Sequence, residues 1–76
     1  MIKELSYEEE VLVDYLISML KSPVLQHVDL SDTGLTEGIL LKLSKTINTS
    51  TSLLSVHLSG NPGLKDHIIR KIQGKL

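Results

Sequence analysis

Apolar residues recur along this chain with two alternating rhythms, a helical one of three to four residues and a strand-like one of two. Ser6 and Glu9, three places apart, make a capping box ahead of Val11, Leu12, Val13, Tyr15, Leu16, Ile17, Met19 and Leu20, which predicts a helix over about 7–21. Leu12, Leu16, Met19 and Leu20 form one stripe. Val13 and Ile17 widen it beyond a single buried face, so this helix is expected to be covered on two sides. Ser22-Pro23 ends it, because proline disfavours helical geometry in the residue before it.

The rhythm then shortens. Residues 25–30 predict a strand with Val28 and Leu30 turned inward and His27, Asp29 and Ser31 outward, followed by a turn at Ser31-Asp32-Thr33-Gly34. Thr36 is the expected cap of a second helix over about 36–48, with Ile39, Leu40, Leu43 and Ile47 as its apolar stripe. Asn48-Thr49-Ser50-Thr51-Ser52 is too polar to continue it. A second strand over 53–58 turns Ser55, His57 and Ser59 outward. Beyond Asn61-Pro62-Gly63 a third helix is expected over about 65–73. It uses Leu64, Ile68, Ile69, Ile72 and Leu76, with Asp66 in its first turn, Arg70 and Lys71 in its last, and Gly74 as its stop.

These elements repeat. LQHVDLSDTGL, starting at Leu25, returns 28 residues later as LLSVHLSGNPGL, with Leu25, Val28 and Leu30 matching Leu53, Val56 and Leu58. Thr33 and Asn61, polar residues able to bond backbone, follow at the same place, and Leu35 or Leu64 closes each unit. The helices agree: Ile39, Leu40, Leu43 and Ile47 map onto Ile68, Ile69, Ile72 and Leu76 at an offset of 29, and onto Val11, Leu12, Tyr15 and Met19 at an offset of 28.

The spacing LxxVxLxxTxL and LxxVxLxxN, with a helix in each unit, resembles the ribonuclease-inhibitor type of leucine-rich repeat. The same subclass is seen in tropomodulin-like and Ran GTPase-activating proteins and in many protist and ciliary proteins. The resemblance implies an α/β fold, a short curved solenoid with parallel strands on the concave side and helices on the convex side. Residues 1–76 would then form one module: an N-terminal helix and partial repeat over 1–22, and repeats over 23–50 and 51–76. Thr33 departs from the Asn or Cys of the family, so a weaker polar ladder is expected at the first turn. About three repeats are needed for independent stability. The open ends are therefore expected to be covered by more repeats or by another subunit.

Composition narrows the function classes. With 76 residues and 41% hydrophobic content the chain supports one small domain with a marginal core. It has no cysteine, so neither disulfides nor thiolate zinc sites supplement that core. A formal net charge of −1, two tyrosines, no Phe and no Trp remove the basic stripe and the stacking platform of a nucleic-acid binder. No apolar run approaches the roughly 20 residues of a membrane span. MIKELSYEEE lacks the positive flank of a secretory signal, and an intracellular, cytoplasmic setting is expected. Charge is uneven: residues 1–14 set Lys3 against Glu4, Glu8, Glu9, Glu10 and Asp14, and residues 62–76 set Lys65, Arg70, Lys71 and Lys75 against Asp66. Helix-dipole matching accounts for this pattern, which would also suit head-to-tail contact with a partner.

Parallel strands in register at an offset of 28 would place His27 beside Ser55, Asp29 beside His57 and Ser31 beside Ser59, about 4.8 Å apart. Together with Asp32 these residues form the candidate protein-binding concave face, and Asp29 beside His57 predicts a charge-assisted pair. Ser31 or Ser59 with His57 and Asp29 has the residue types of a nucleophilic triad, but a solvated strand face offers neither oxyanion donors nor pocket walls. His27, Asp29 and His57 share a face as metal ligands would, without a recognisable second shell. Gly60-Asn61-Pro62-Gly63 lacks the lysine and spacing of a phosphate loop, and the sequon Asn48-Thr49-Ser50 reads as a chance loop. His67 reads as a surface residue. No catalytic, cofactor-binding or metal residue is assigned and no cofactor is expected. The expected function is a non-catalytic protein-interaction or scaffold module. A structural subunit of a cytoskeletal or axonemal complex, and a regulatory repeat region of the GTPase-activating type, are the alternatives. The last would need an exposed Arg or acidic loop at the strand-to-helix turns, where Asp32 is the only charged candidate.

Overall fold

A computed structural model describes residues 4–76, so the expectations for residues 1–3, Lys3 among them, lie outside the described part. The chain runs α1 (Tyr7–Leu20), β1 (His27–Asp29), α2 (Glu37–Thr49), β2 (Ser55–His57) and α3 (Asp66–Lys71), and ends in a 3-10 turn (Gln73–Lys75). Two parallel strands and three helices make it an α/β fold. Val28 and Val56 are buried in one cluster with Leu16, Leu20, Leu40, Leu43, Ile47, Ile68 and Ile72, so the core lies between the sheet and the helices. Because side chains alternate along a strand, His27, Asp29 and His57 emerge on the opposite, exposed face.

The local signals act as expected at the helix starts. Ser6 Oγ accepts from the Glu9 N–H at 3.1 Å and Glu9 Oε1 accepts from the Ser6 N–H at 2.9 Å, which completes the capping box of α1. Thr36 Oγ1 accepts from the Ile39 N–H at 3.5 Å at the start of α2. Helix ends differ more. α2 runs one residue past the expected end, through Thr49: the Thr49 hydroxyl bonds back to the Lys45 carbonyl at 2.8 Å, and Asn48 Nδ2 donates to the Lys71 carbonyl at 2.5 Å. α3 ends at Lys71, because Ile72 (φ −119°, ψ 20°) leaves helical geometry, and Gly74 sits inside the following 3-10 turn instead of stopping a longer helix.

The strands are also shorter than the predicted 25–30 and 53–58. They pair in parallel, His27 with Ser55, Val28 with Val56 and Asp29 with His57, at the expected offset of 28. Isolated bonds extend the ladder: Leu54 N–H to the Gln26 carbonyl (2.7 Å), Leu30 N–H to His57 (2.8 Å) and Asp32 N–H to Ser59 (2.9 Å).

α1 buries part of the expected stripe, turned away from Leu12 and Tyr15. Val13, Leu16 and Leu20 are buried, whereas Leu12 is 40% and Tyr15 68% exposed. The buried positions match Leu40, Leu43 and Ile47 of α2 at an offset of 27, not 28, because Leu20 lies eight residues before Val28 whereas its counterpart Ile47 lies nine before Val56. Among the described residues only α2, packed against both α1 and α3, is covered on two sides, and α1 leaves Val11, Leu12 and Tyr15 exposed.

Asn61 is 6% exposed and uses its whole carboxamide. Its Nδ2 donates to the Leu30 and Leu58 carbonyls, both at 2.8 Å, while Oδ1 accepts from the N–H groups of Leu35 (2.9 Å) and Thr33 (3.1 Å) and from the Thr33 hydroxyl (3.3 Å). Beside it, Gly63 is pressed against the start of α2: a Cβ there would lie 2.1 Å from backbone atoms of Thr36 and Glu37. Asn61→Ala removes the partner of two carbonyls and two amide N–H groups, and should cost about 2–4 kcal/mol. Asn61→Asp should cost at least as much, since a carboxylate turns an acceptor toward each carbonyl. Gly63→Ala should destabilise comparably, by about 1–3 kcal/mol, through overpacking. Urea unfolding followed by circular dichroism reads all three, and losses within about 0.5 kcal/mol of wild type would contradict these assignments.

Candidate functional site

The exposed strand face is a grid of three cross-strand pairs set by the parallel register. In the first, His27 Nδ1 and Ser55 Oγ lie 2.7 Å apart, a hydrogen bond whose donor depends on the histidine tautomer. The last is a longer bond from Ser59 Oγ to Ser31 Oγ at 3.4 Å. In the middle pair Asp29 and His57 are neighbours in register, but the expected charge-assisted pair does not form. Asp29 turns along its own strand instead, and its Oδ1 accepts from the Ser31 N–H at 3.0 Å. A backbone donor two residues away is held in place by the turn, whereas His57 must be met by a freely rotating side chain across the ladder.

That local bond governs the electrostatics of the face. The Asp29 carboxyl is held below its ordinary range, chiefly by the Ser31 backbone N–H and then by the Ser31 hydroxyl; the charge of His57 is a smaller influence. Asp32, the remaining member of the predicted face, sits with φ 56° at the β1–α2 turn, equivalent to Gly60 (φ 79°) one unit on. Its carboxylate lies over Gly60, so close that a Cβ on that glycine would overlap Asp32 Oδ1. The strand-to-helix turn thus holds Asp32 beside the grid rather than apart from it.

The triad and metal constellations differ from this arrangement. Asp29 is engaged with Ser31, and the serine that meets a histidine is Ser55, through His27. Among the described residues no group of three or more His, Cys, Asp or Glu is placed to hold a metal ion, and His27, Asp29 and His57 are not such a group.

Sequence reasoning missed two polar contacts. His67 Nε2 and Glu37 Oε2 lie 2.9 Å apart, an ion pair when the histidine is protonated, which links the first turns of α2 and α3. Lys75 Nζ donates to the carbonyls of Ser50 (2.8 Å) and Leu53 (2.5 Å), folding the end of the chain over the α2–β2 connection. The first was foreshadowed by two charged residues near successive helix starts. The second left no signal, since its acceptors are backbone atoms.

No family model, no curated protein and no solved structure matches the chain.

A carboxylate whose folded-state pKa is depressed stabilises the fold fully above its unfolded value of about 3.9, and loses that contribution as pH falls through the folded value. Thermal midpoints measured between about pH 2 and pH 6 should therefore fall more steeply below pH 4 for wild type than for Asp29→Ala, the two converging at the acid end. Parallel curves would mean that the Asp29–Ser31 bond contributes nothing to folding.

Proposed function

We propose that the chain is a short solenoid of ribonuclease-inhibitor-type leucine-rich repeats and serves as a non-catalytic protein-interaction module, part of a larger repeat protein or assembly. Its strand face, His27, Asp29, Ser31, Asp32, Ser55, His57 and Ser59, would bind a protein partner. The observation that carries this reading is the pairing of β1 and β2 at the repeat offset, with the Asn61 carboxamide spanning both turns. A repeat fold held this way presents its outward side chains as a fixed row, the geometry on which such modules bind other proteins.

The chemistry of the row favours a polar partner surface. It offers two imidazoles, hydroxyls and two carboxylates without a large aromatic anchor, so hydrogen bonding and charge would decide specificity. Its hydroxyl and imidazole groups also pair across the strands, which limits their rotamers before a partner arrives and reduces the ordering cost of binding.

Affinity capture from native lysate tests the face. Wild type and a helix-side control, Lys42→Glu, should retain the same proteins, whereas the double variant Asp29→Lys/His57→Glu should lose them. If the double variant retains the wild-type set, the strand face is not the binding surface.

A further inference from the structure

Every helix in a stack of β–α units has two flanks, and in this chain the middle helix alone has both covered. α2 buries Ile39, Leu40, Leu43 and Ile47 between its neighbours. At the offset of 29, Ile39 and Leu43 correspond to Ile68 and Ile72, which are buried. Leu40 and Ile47 correspond to Ile69 and Leu76, which stand 37% and 49% exposed. With Val56, Leu58 and Leu64, and with the polar His57 and Ser59, these two line a mainly apolar groove of about 240 Å³ beside the outer edge of β2. The groove lies where, one unit earlier, the chain seats its own next repeat.

The opposite end has the matching character. α1 exposes Val11, Leu12 and Tyr15 on the flank that the offset of 27 turns away from the core. The exposed acids Glu4 and Glu8 lie at this end of the chain, whereas Glu10 and Asp14 line the cleft toward Lys42 of α2. At the other end, on and next to α3, the exposed charges are Lys65, Arg70 and Lys71, opposed by Asp66. A two-fold contact would set like end against like end, acid on acid or base on base; joining unlike ends pairs opposite charges and covers apolar surface on both.

We propose that a second copy of the chain docks head to tail, the α1 flank of one molecule covering the groove between α3 and β2 of the next, so that the repeat stack continues across molecules. The contact is heterologous and open, giving a series of oligomers rather than a closed dimer. It shares His57 and Ser59 with the strand face and otherwise uses different residues.

Sedimentation equilibrium on the whole chain, from micromolar to millimolar concentration, tests this. Wild type should show a mass that rises past the dimer with concentration, less so in high salt, where the end charges are screened. Val11→Lys blocks the α1 end and Ile69→Gln the α3 end, so each variant alone should remain monomeric. Mixed in equal amounts they should form a one-to-one dimer that grows no further, since one good end remains on each. Tyr15→Lys and Leu76→Gln place the same two blocks at other exposed positions, so the mixing experiment does not depend on one pair of variants folding. A monomeric wild type, a wild type that stops at the dimer, or a mixture that stays monomeric overturns the proposal. A strand-face variant outside the groove, His27→Glu, should associate like wild type, which separates this result from the fate of the binding face.

Discussion

The Asn61 carboxamide is the interaction on which the arrangement of the two units depends. A carboxamide has two N–H donors and an oxygen with two lone pairs, and here both donors are spent on carbonyls from the two turns, Leu30 and Leu58. The oxygen collects Thr33 and Leu35 of the first turn. A slip of one residue between β1 and β2 would break the bonds to Leu30, Thr33 and Leu35 together and also reverse which side chains face the core. Leu35, tied by its amide, directly precedes the Thr36 cap of α2, and the Gly63 amide donates to the Leu35 carbonyl at 2.9 Å. One side chain thereby sets the register of the sheet and the starting height of the next helix.

Thr33 becomes intelligible against that demand. An asparagine in its place would carry two donors, one for its own turn and one for a strand on the far side of β1. The threonine has one, which is directed at the Leu30 carbonyl at 2.7 Å and only shared with Asn61 Oδ1 at 3.3 Å. Its amide is then supported from the second unit by Asn61, so the turn expected to be the weaker is held by its neighbour. The order of the first turn is borrowed across the repeat, and loss of Asn61 would be felt in both units. Lys75 and Asn48 make a similar cross-connection at the other ends of the helices, where an ammonium and a carboxamide bond backbone carbonyls of Ser50, Leu53 and Lys71. The unit-to-unit interface is thus sealed by side-chain-to-backbone bonds at both rims and by apolar packing between them.

What the sequence made legible and what it hid follow from how errors propagate in strands and helices. Strand register was readable because Val28 and Val56, with their flanking polar residues, keep their spacing within an uninterrupted motif, and an offset of 28 fits both. The face of α1 was not, because matching it to α2 required the length of the connection between helix and strand. The path from Leu20 to Val28 is one residue shorter than that from Ile47 to Val56, which shifts the match from 28 to 27, and a helix turns about 100° per residue, so a single-residue error moves Leu12 and Tyr15 from the core to the surface. Asp29 failed for a different reason: adjacency across a ladder brings side chains near one another but does not outweigh a donor in the next turn of the same chain.

The same geometry explains why the outward row is more ordered than a set of small polar side chains would otherwise be. His27 to Ser55 and Ser59 to Ser31 run across the strands, while Asp29 to Ser31 runs along one of them, so the hydroxyl and imidazole groups are linked into a surface network. His57 stands outside these links, exposed between Asp29 and the free edge of β2, with its ring available for an incoming group. Because exposed hydrogen bonds of this kind are readily exchanged for others of similar strength, the network positions the row without committing its donors. A partner could replace the weak Ser59–Ser31 bond at little cost, whereas disturbing Asp29 would also release the turn that leads to Asp32. The free side of the grid, around His57 and Ser59, is therefore the part best able to accept new bonds, and the β1 side acts as its rigid support.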